Sequence, residues 1–310
     1  TKKYYKEEIS LSKKIILKKP KKNFSWVTNG LNNQNSIGHI YLDNINNNFL
    51  NKKFGKNKFK ISNLITSPIV YNNNIIFTDD TGSIFNVSLS GKLNWKKNIY
   101  QKVYKNIYKN LSFSINNGII YISDNIGFIY AITLDTGEPI WFKNHGSPIK
   151  SRIKIFKEKI FLVDQTNRIL CFDAKNGTKV WDVRTARSFI KSQYFLALAI
   201  SKDGSLLTIN SRGDLLKISS KYGKVIWSLN VAGTQLAQDI DFFKSSDIVI
   251  IENNIIFSTS SSTYSLNLQN GYTNWIQNVG TYNTPIIDGD NVFLVTNNGF
   301  LVNIDKKTGE

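Results

Sequence analysis

Residues 135–141 read Asp135-Thr-Gly137-Glu-Pro-Ile-Trp141, and the Gly-x-x-x-Trp spacing at their centre recurs along the chain. It stands at Gly91/Trp95, Gly137/Trp141, Gly177/Trp181, Gly223/Trp227 and Gly271/Trp275, and a sixth copy opens at Gly309 as the sequence ends. Successive glycines are 46, 40, 46, 48 and 38 residues apart, so five of the six tryptophans share one place in a period of about 44. Such a period means one supersecondary unit used repeatedly.

Working back from each glycine fills in the unit. Four residues before it stand Thr133, Asp173, Ser219, Asn267 and Asp305. These are short polar side chains that bond nearby backbone and open a turn, while the glycine supplies φ > 0. Ten residues before it stand Gly127, Asn167, Gly213, Ser261 and Gly299, suited to a tight turn between antiparallel strands; the first unit is one residue shorter, with Gly82. Between the turns lie β-branched and aromatic runs such as Ile119-Ile-Tyr-Ile122, Ile160-Phe-Leu-Val163, Ile255-Ile-Phe257 and Val292-Phe-Leu-Val295. Ahead of these come Ser67-Pro-Ile-Val70, Ser147-Pro-Ile149 and Thr284-Pro-Ile-Ile287, with Pro at a strand start. Four short antiparallel strands per unit make a β-propeller blade, and no helical periodicity intervenes. The fold class expected is all-β, with Trp95, Trp141, Trp181, Trp227 and Trp275 packed between neighbouring blades. Each would contribute roughly 4–6 kcal/mol as an upper bound.

With 310 residues, 41% hydrophobic, the chain is long enough for a buried core. One Cys rules out an intrachain disulfide and a Cys-based zinc site, and His39 and His145 are too far apart in sequence to suggest a His-rich metal centre. The longest apolar run is Phe195-Leu-Ala-Leu-Ala-Ile200, far short of a membrane span. Residue 1 is Thr and no Met occurs, so the start of translation is expected to lie upstream. The net charge is +18, of which residues 1–22 supply nine Lys against two Glu; this stretch lacks the repeat and reads as a basic linker or tether. The other positive charge is spread among Asn runs (Asn46–Asn48, Asn72–Asn74) with no recognisable nucleic-acid module, so nucleic acid is not an expected partner. The enrichment in Lys, Asn and Ile reads as a coding bias toward AT-rich codons. Residues 23–62, with Trp26, are expected to give an outer strand that closes the ring and a degenerate hairpin through Gly38-His-Ile-Tyr-Leu42.

The repeat resembles the PQQ-like repeat of quinoprotein-type propellers. Over residues 23–310 the order and spacing of several segments are similar to the BamB family of outer-membrane protein assembly factors. They are Phe24-Ser-Trp26-Val-Thr-Asn-Gly30, Gly38-His39, Ser67-Pro68 through Trp95, Asp239-Ile-Asp241 and Asp288-Gly-Asp290-Asn-Val-Phe293. The resemblance implies eight blades, of which this chain covers about six, so that the propeller domain 23–310 is expected to be cut short at its C-terminal end; a ring closed with six or seven blades is the alternative. It implies a non-catalytic scaffold of the BAM complex, in the periplasm and held to the outer membrane through an upstream lipid-modified Cys. The implied partner is the set of POTRA domains of BamA, contacted by two neighbouring loops. Those loops correspond here to 184–195, with Arg184, Arg187, Phe189, Lys191 and Tyr194, and to 239–247, with Asp239, Asp241 and Phe242.

Two rival classes share the repeat. A PQQ-dependent oxidoreductase stacks its cofactor against a disulfide of adjacent cysteines beside Ca²⁺; Cys171 is the single Cys, and its register in a third strand reads as a packing residue. The Asp-bearing turns lack the acidic spacing of a calcium loop, and no Gly-x-Ser-x-Gly, P-loop or His-Glu-x-x-His occurs. No cofactor, metal or catalytic residue is therefore expected. A sensor or polysaccharide-binding propeller is the other alternative.

Overall fold

The computed structural model describes residues 14–30, 32–43, 50–60, 67–185, 194–232 and 243–310. The described chain is built from six antiparallel sheets, each a consecutive run of strands paired in chain order. Blade 1 comprises Ile69–Tyr71, Asn74–Thr78, Ser83–Ser88 and Leu93–Asn98. Blade 2 runs from Leu111–Asn116 to Pro139–Asn144, blade 3 from Lys154–Phe156 to Lys179–Arg184, and blade 4 from Leu198–Ile200 to Val225–Asn230. Blade 5 runs from Val249–Ile251 to Thr273–Gln277, and blade 6 has three strands, Ile286–Asp288, Asn291–Val295 and Leu301–Asp305. The expected all-β propeller is the observed fold.

Local chemistry sets the turns. Asn72 and Asn73 (φ 47° and 62°) turn the first strand of blade 1 into the second, and Asn117-Gly118 does the same in blade 2 (φ 48° and 73°). These are the left-handed positions of a type I′ hairpin, where Asn and Gly are favoured. At the other end of each hairpin, an Asp or Asn caps the turn. Asp164 Oδ1 accepts from the backbone N–H of Thr166 and Arg168, and Asn210 Oδ1 from those of Arg212 and Asp214. In the third-to-fourth-strand turn, Gly177 N–H donates to Asp173 O, as Gly271 N–H does to Asn267 O. In blades 1 to 5 the third and fourth strands slip register by one residue just before that turn, a recurrent β-bulge.

First strands of neighbouring blades approach one another from blade 1 to blade 5, which places them on the propeller axis. Fourth strands are the outer edges. They are mostly exposed, and in blades 1 to 3 they carry charge, as in Leu93-Asn-Trp-Lys-Lys-Asn98, which discourages edge-to-edge pairing. The core lies between blades. Ile76, Ile84 and Trp95 of blade 1 pack with Phe113, Ile122 and Ile132 of blade 2, and Ile256 and Trp275 of blade 5 pack with Val292 and Ile304 of blade 6.

The five repeat tryptophans make one recurring contact. Trp95, Trp141, Trp181, Trp227 and Trp275 each donate Nε1–H to a carbonyl of the next blade: Leu134, Ala174, Ser220, Leu268 and Lys306, at 2.8–3.3 Å. Each acceptor lies three residues before that blade's own motif glycine. The glycine is then pressed onto the indole: a methyl group built on Gly177 would lie 2.6 Å from Trp141 Cε3. Glycine and tryptophan of a single motif thus serve opposite sides of their blade. Trp95 and Trp275 are buried, at 9% and 7% exposure, whereas Trp141, Trp181 and Trp227 are half-buried.

The N-terminal segment corrects two expectations. Its described part forms neither an outer closing strand nor a hairpin through Gly38–Leu42; it runs along the axis. Trp26 exchanges backbone hydrogen bonds with Val70 of blade 1, and Val27 O accepts from Ile115 N–H of blade 2. Asn33 O and Gln34 O accept from Ile200 and Ile250 N–H of blades 4 and 5, and Asn33 Nδ2 donates to Ile155 O of blade 3 at 2.8 Å. Lys18 N–H reaches Asp288 in blade 6. Near Gly38, Ile40 bridges Lys21 in parallel. The physical reason is that first strands present unpaired N–H and C=O groups to the axis, which must be satisfied when covered. An amide-rich stretch, Asn29 to Asn35, supplies donors and acceptors on both backbone and side chains.

Candidate functional site

A chain that runs up, down, up and down through a blade leaves it at the end where the second-to-third-strand turn also lies. One end of the propeller therefore carries the inter-blade connections, and the described ends of both loop regions singled out from sequence, 184–185 with 194–195 and 243–247, sit there. Arg184 ends its strand, exposed, paired in register with Arg168. Arg187, Phe189 and Lys191, and from the second loop Asp239, Asp241 and Phe242, lie outside the described residues.

Tyr194 is described and brings the two loops together. Lys244 Nζ lies 5.2 Å from the Tyr194 ring centroid and 3.9 Å from that of Tyr282, in the connection from blade 5 to blade 6. An ammonium between two aromatic faces is held by their quadrupoles. Beside it, Phe195 is 45% exposed, with the Arg152 guanidinium 5.3 Å from its ring centroid. Arg152 also donates to Asp247 Oδ2 at 2.6 Å, and Thr284 Oγ1 donates to the same oxygen at 3.0 Å. Connections before blades 3, 5 and 6 are thereby tied at one buried carboxylate. Gly30 (φ +90°) lets the axial segment pass under this clamp, since a methyl group there would lie 2.9 Å from Arg152 Nη1.

Beneath the clamp, Lys154 is wholly buried. Its Nζ donates to Asn32 O at 2.7 Å and Asn35 Oδ1 at 2.6 Å, while Asn35 Nδ2 donates to Leu198 O and Ile248 O. Burial pulls the Lys154 ammonium down to about 7; Asp247 opposes this, and Arg152 adds to it. The site therefore has an aromatic and cationic surface, Tyr194, Phe195, Lys244 and Tyr282, fixed from below by an ion-paired, hydrogen-bonded floor. Such a surface presents aromatic faces and fixed cations at this end of the propeller. Tyr194 was legible from sequence. Lys244, Tyr282, Arg152 and Lys154 were not, because each becomes part of the site only through blade order; the amide run at Asn29–Asn35 was the one available signal of a polar axis.

Cys171 is fully buried in the third strand of blade 3, as its register implied, and burial pushes its thiol up to about 12. Among the described residues no group of three or more His, Cys, Asp or Glu side chains is placed to hold a metal ion, and no helix is long and apolar enough to cross a membrane.

The family model described as outer membrane protein assembly factor BamB matches residues 80–310. The chain is similar to an uncharacterized protein of Rickettsia conorii, 23% identical over 282 residues, covering 87% of this chain and 68% of that one. It is also similar to the outer membrane protein assembly factor BamB of Moranella endobia, at 17% identity, and spans 64% of that protein's length. Among solved structures, BamB from Moraxella catarrhalis superposes with a TM-score of 0.64 at 16% identity, over 79% of this chain and 70% of that one. A europium-containing methanol dehydrogenase superposes at 0.60 with 13% identity, over 82% of this chain and 58% of that one, a likeness of fold alone.

Proposed function

The chain belongs to the family of outer membrane protein assembly factor BamB, and on that premise we propose that it is a non-catalytic scaffold of the β-barrel assembly complex. Its partner is the set of periplasmic POTRA domains of BamA, and the inter-blade loops of one propeller end dock them. The protein works in the periplasm at the outer membrane, with the basic residues 1–15 as the tether that follows a lipid-modified Cys, since residues 16–22 already bond to blade 6 and to Ile40.

The observation that carries this reading is the meeting of the two loop regions at Tyr194 and Lys244. Tyr194 and Phe195 are both exposed aromatics, at 36% and 45%, on a floor braced by Arg152 and Asp247. A pre-organised aromatic anchor beside fixed cations loses little side-chain entropy on binding and can pair with acidic groups of a partner. The test is capture by the cognate POTRA domains. Replacing Tyr194 and Phe195 together by Ala is expected to weaken capture about tenfold or more, or 1.4 kcal/mol, with little change in melting temperature. Undiminished capture by a folded double variant would remove this surface from the interface. What favours the quinoprotein alternative is a likeness of fold alone; against it, Cys171 is flanked by Leu170 and Phe172, so this sequence holds no pair of adjacent cysteines for the disulfide that class uses.

A further inference from the structure

Blade 1 carries a feature that the docking surface does not use. Residues 50–60 lie against the face of its second and third strands: the Phe54 ring packs edge-on against Phe77 and tilted against Phe85, and Lys56 N–H donates to Asp79 Oδ2. Between this segment, the second-to-third-strand turn of blade 1 and the connection to blade 2 is an open cleft of about 740 Å³. Six lysines line it, Lys56, Lys58, Lys96, Lys102, Lys105 and Lys109, with no acidic residue in the lining.

None of the six lysines forms an ion pair with a described carboxylate. Three carboxylates stand close enough to act on Lys109, namely Asp124, Asp79 and Asp80; Asp79 Oδ1 accepts from Thr81 and Ser83 N–H, and Asp80 Oδ2 from Phe59 N–H. Lys109 is only 2% exposed; its Nζ donates to Tyr104 O and Ile107 O and faces the Tyr100 ring at 5.0 Å. Burial first, and the charge of Lys58 second, lower its affinity for a proton, against the pull of Asp124, Asp79 and Asp80. A concave, single-signed site focuses its field and concentrates counter-ions. Its volume falls in the ~300–1,000 Å³ range of small-ligand sites rather than forming a long stripe for a polymer. Lysine recognises phosphate as a mobile point charge, and five of these six lysines are exposed. Lys58 Nζ donates to Lys105 O and Asn106 Oδ1 and Lys96 Nζ lies over the Phe85 ring, so Lys56, Lys102 and Lys105 carry the most mobile charge.

We propose that this cleft binds a phosphate-bearing anion, either a free phosphorylated small molecule or the phosphate headgroup of an anionic lipid. The inference is independent of the partner reading, because it rests on blade 1 and not on the Tyr194 surface.

The test titrates the full chain with pyrophosphate at fixed ionic strength, and separately measures co-flotation with phosphatidylglycerol-containing phosphatidylcholine vesicles. The variant is Lys102→Ala with Lys105→Ala; the control is Lys143→Ala with Lys175→Ala, two exposed lysines on other blades and an equal loss of charge. An affinity loss of about tenfold or more for pyrophosphate in the cleft variant, and not in the control, supports a free phosphate ligand. A selective loss of flotation, with pyrophosphate displacing the parent protein from vesicles, supports the lipid source. Equal losses in variant and control, or none in either, overturn the proposal. So does a selective loss of binding to a single-stranded oligonucleotide with the two phosphate probes unaffected.

Discussion

Replacing Gly177 by Ala probes the contact between the glycine of one blade and the tryptophan of the blade before it. Gly177 has φ +69°, and an added methyl would meet the Trp141 indole at 2.6–2.9 Å. Two costs follow. An L-residue held in the left-handed region costs about 1–2 kcal/mol, and forcing a methyl into a packed ring about 1–3 kcal/mol more. Gly118 separates them, because it has φ +73° with nothing within 4 Å of the added carbon. Gly118→Ala should therefore cost about 1–2 kcal/mol and Gly177→Ala about 2–5 kcal/mol. For a chain of this size each kcal/mol lowers the melting temperature by roughly 2 °C. Urea unfolding followed by circular dichroism measures both, and a cycle with Trp141→Ala isolates the clash. In that background Gly177→Ala should lose about 1–3 kcal/mol of its effect. Equal costs at Gly177 and Gly118, or a cycle additive to within about 0.5 kcal/mol, would refute the packing argument.

The tryptophans themselves should divide by burial: Trp95→Ala and Trp275→Ala at about 3–5 kcal/mol, and half-buried Trp181→Ala below them, read by the same unfolding assay. Lys154 gives a pH dependence. Its pKa falls from 10.5 unfolded to about 7 folded, so between these values the unfolded chain holds a proton that the folded one lacks. Stability from this group is full above about pH 10.5, declines as pH falls, and is lost by pH 7, an effect of about 2–3 kcal/mol between pH 7 and pH 9. Urea midpoints of the parent protein should rise over that interval more than those of Lys154→Met; parallel slopes would contradict the buried ammonium.

Much of the fold could be read because the Gly-to-Trp spacing is covalent and local, and each blade repeats it. Thr133, Asp173, Ser219, Asn267 and Asp305 fell in the expected turns for the same reason. Asn72 and Asn73 were less transparent: they look like compositional drift, and only the backbone shows them holding the left-handed positions of a hairpin. The route of residues 16–41 could not be read at all. Its partners, from Val70 to Asp288, are strands far away in sequence, and an amide-rich stretch has no periodicity to reveal what it pairs with. The docking surface fell between these cases. Tyr194 lies in a segment marked by composition, whereas Arg152, Lys244 and Tyr282 join it through blade order alone.

The path of residues 16–41 also changes how the molecule should come apart. An array of repeats in which each unit touches only its neighbours melts piecemeal, with stability a sum of nearest-neighbour terms. Here one stretch of about 26 residues bonds to strands of all six blades, so loosening any blade strands hydrogen-bonding groups belonging to the others. That linkage makes unfolding more nearly all-or-none. It also orders the folding: the earliest part of this sequence to be synthesised has no complete set of partners until blade 6 exists. Docking of the axial segment then becomes a late step with high contact order, and therefore a slow one.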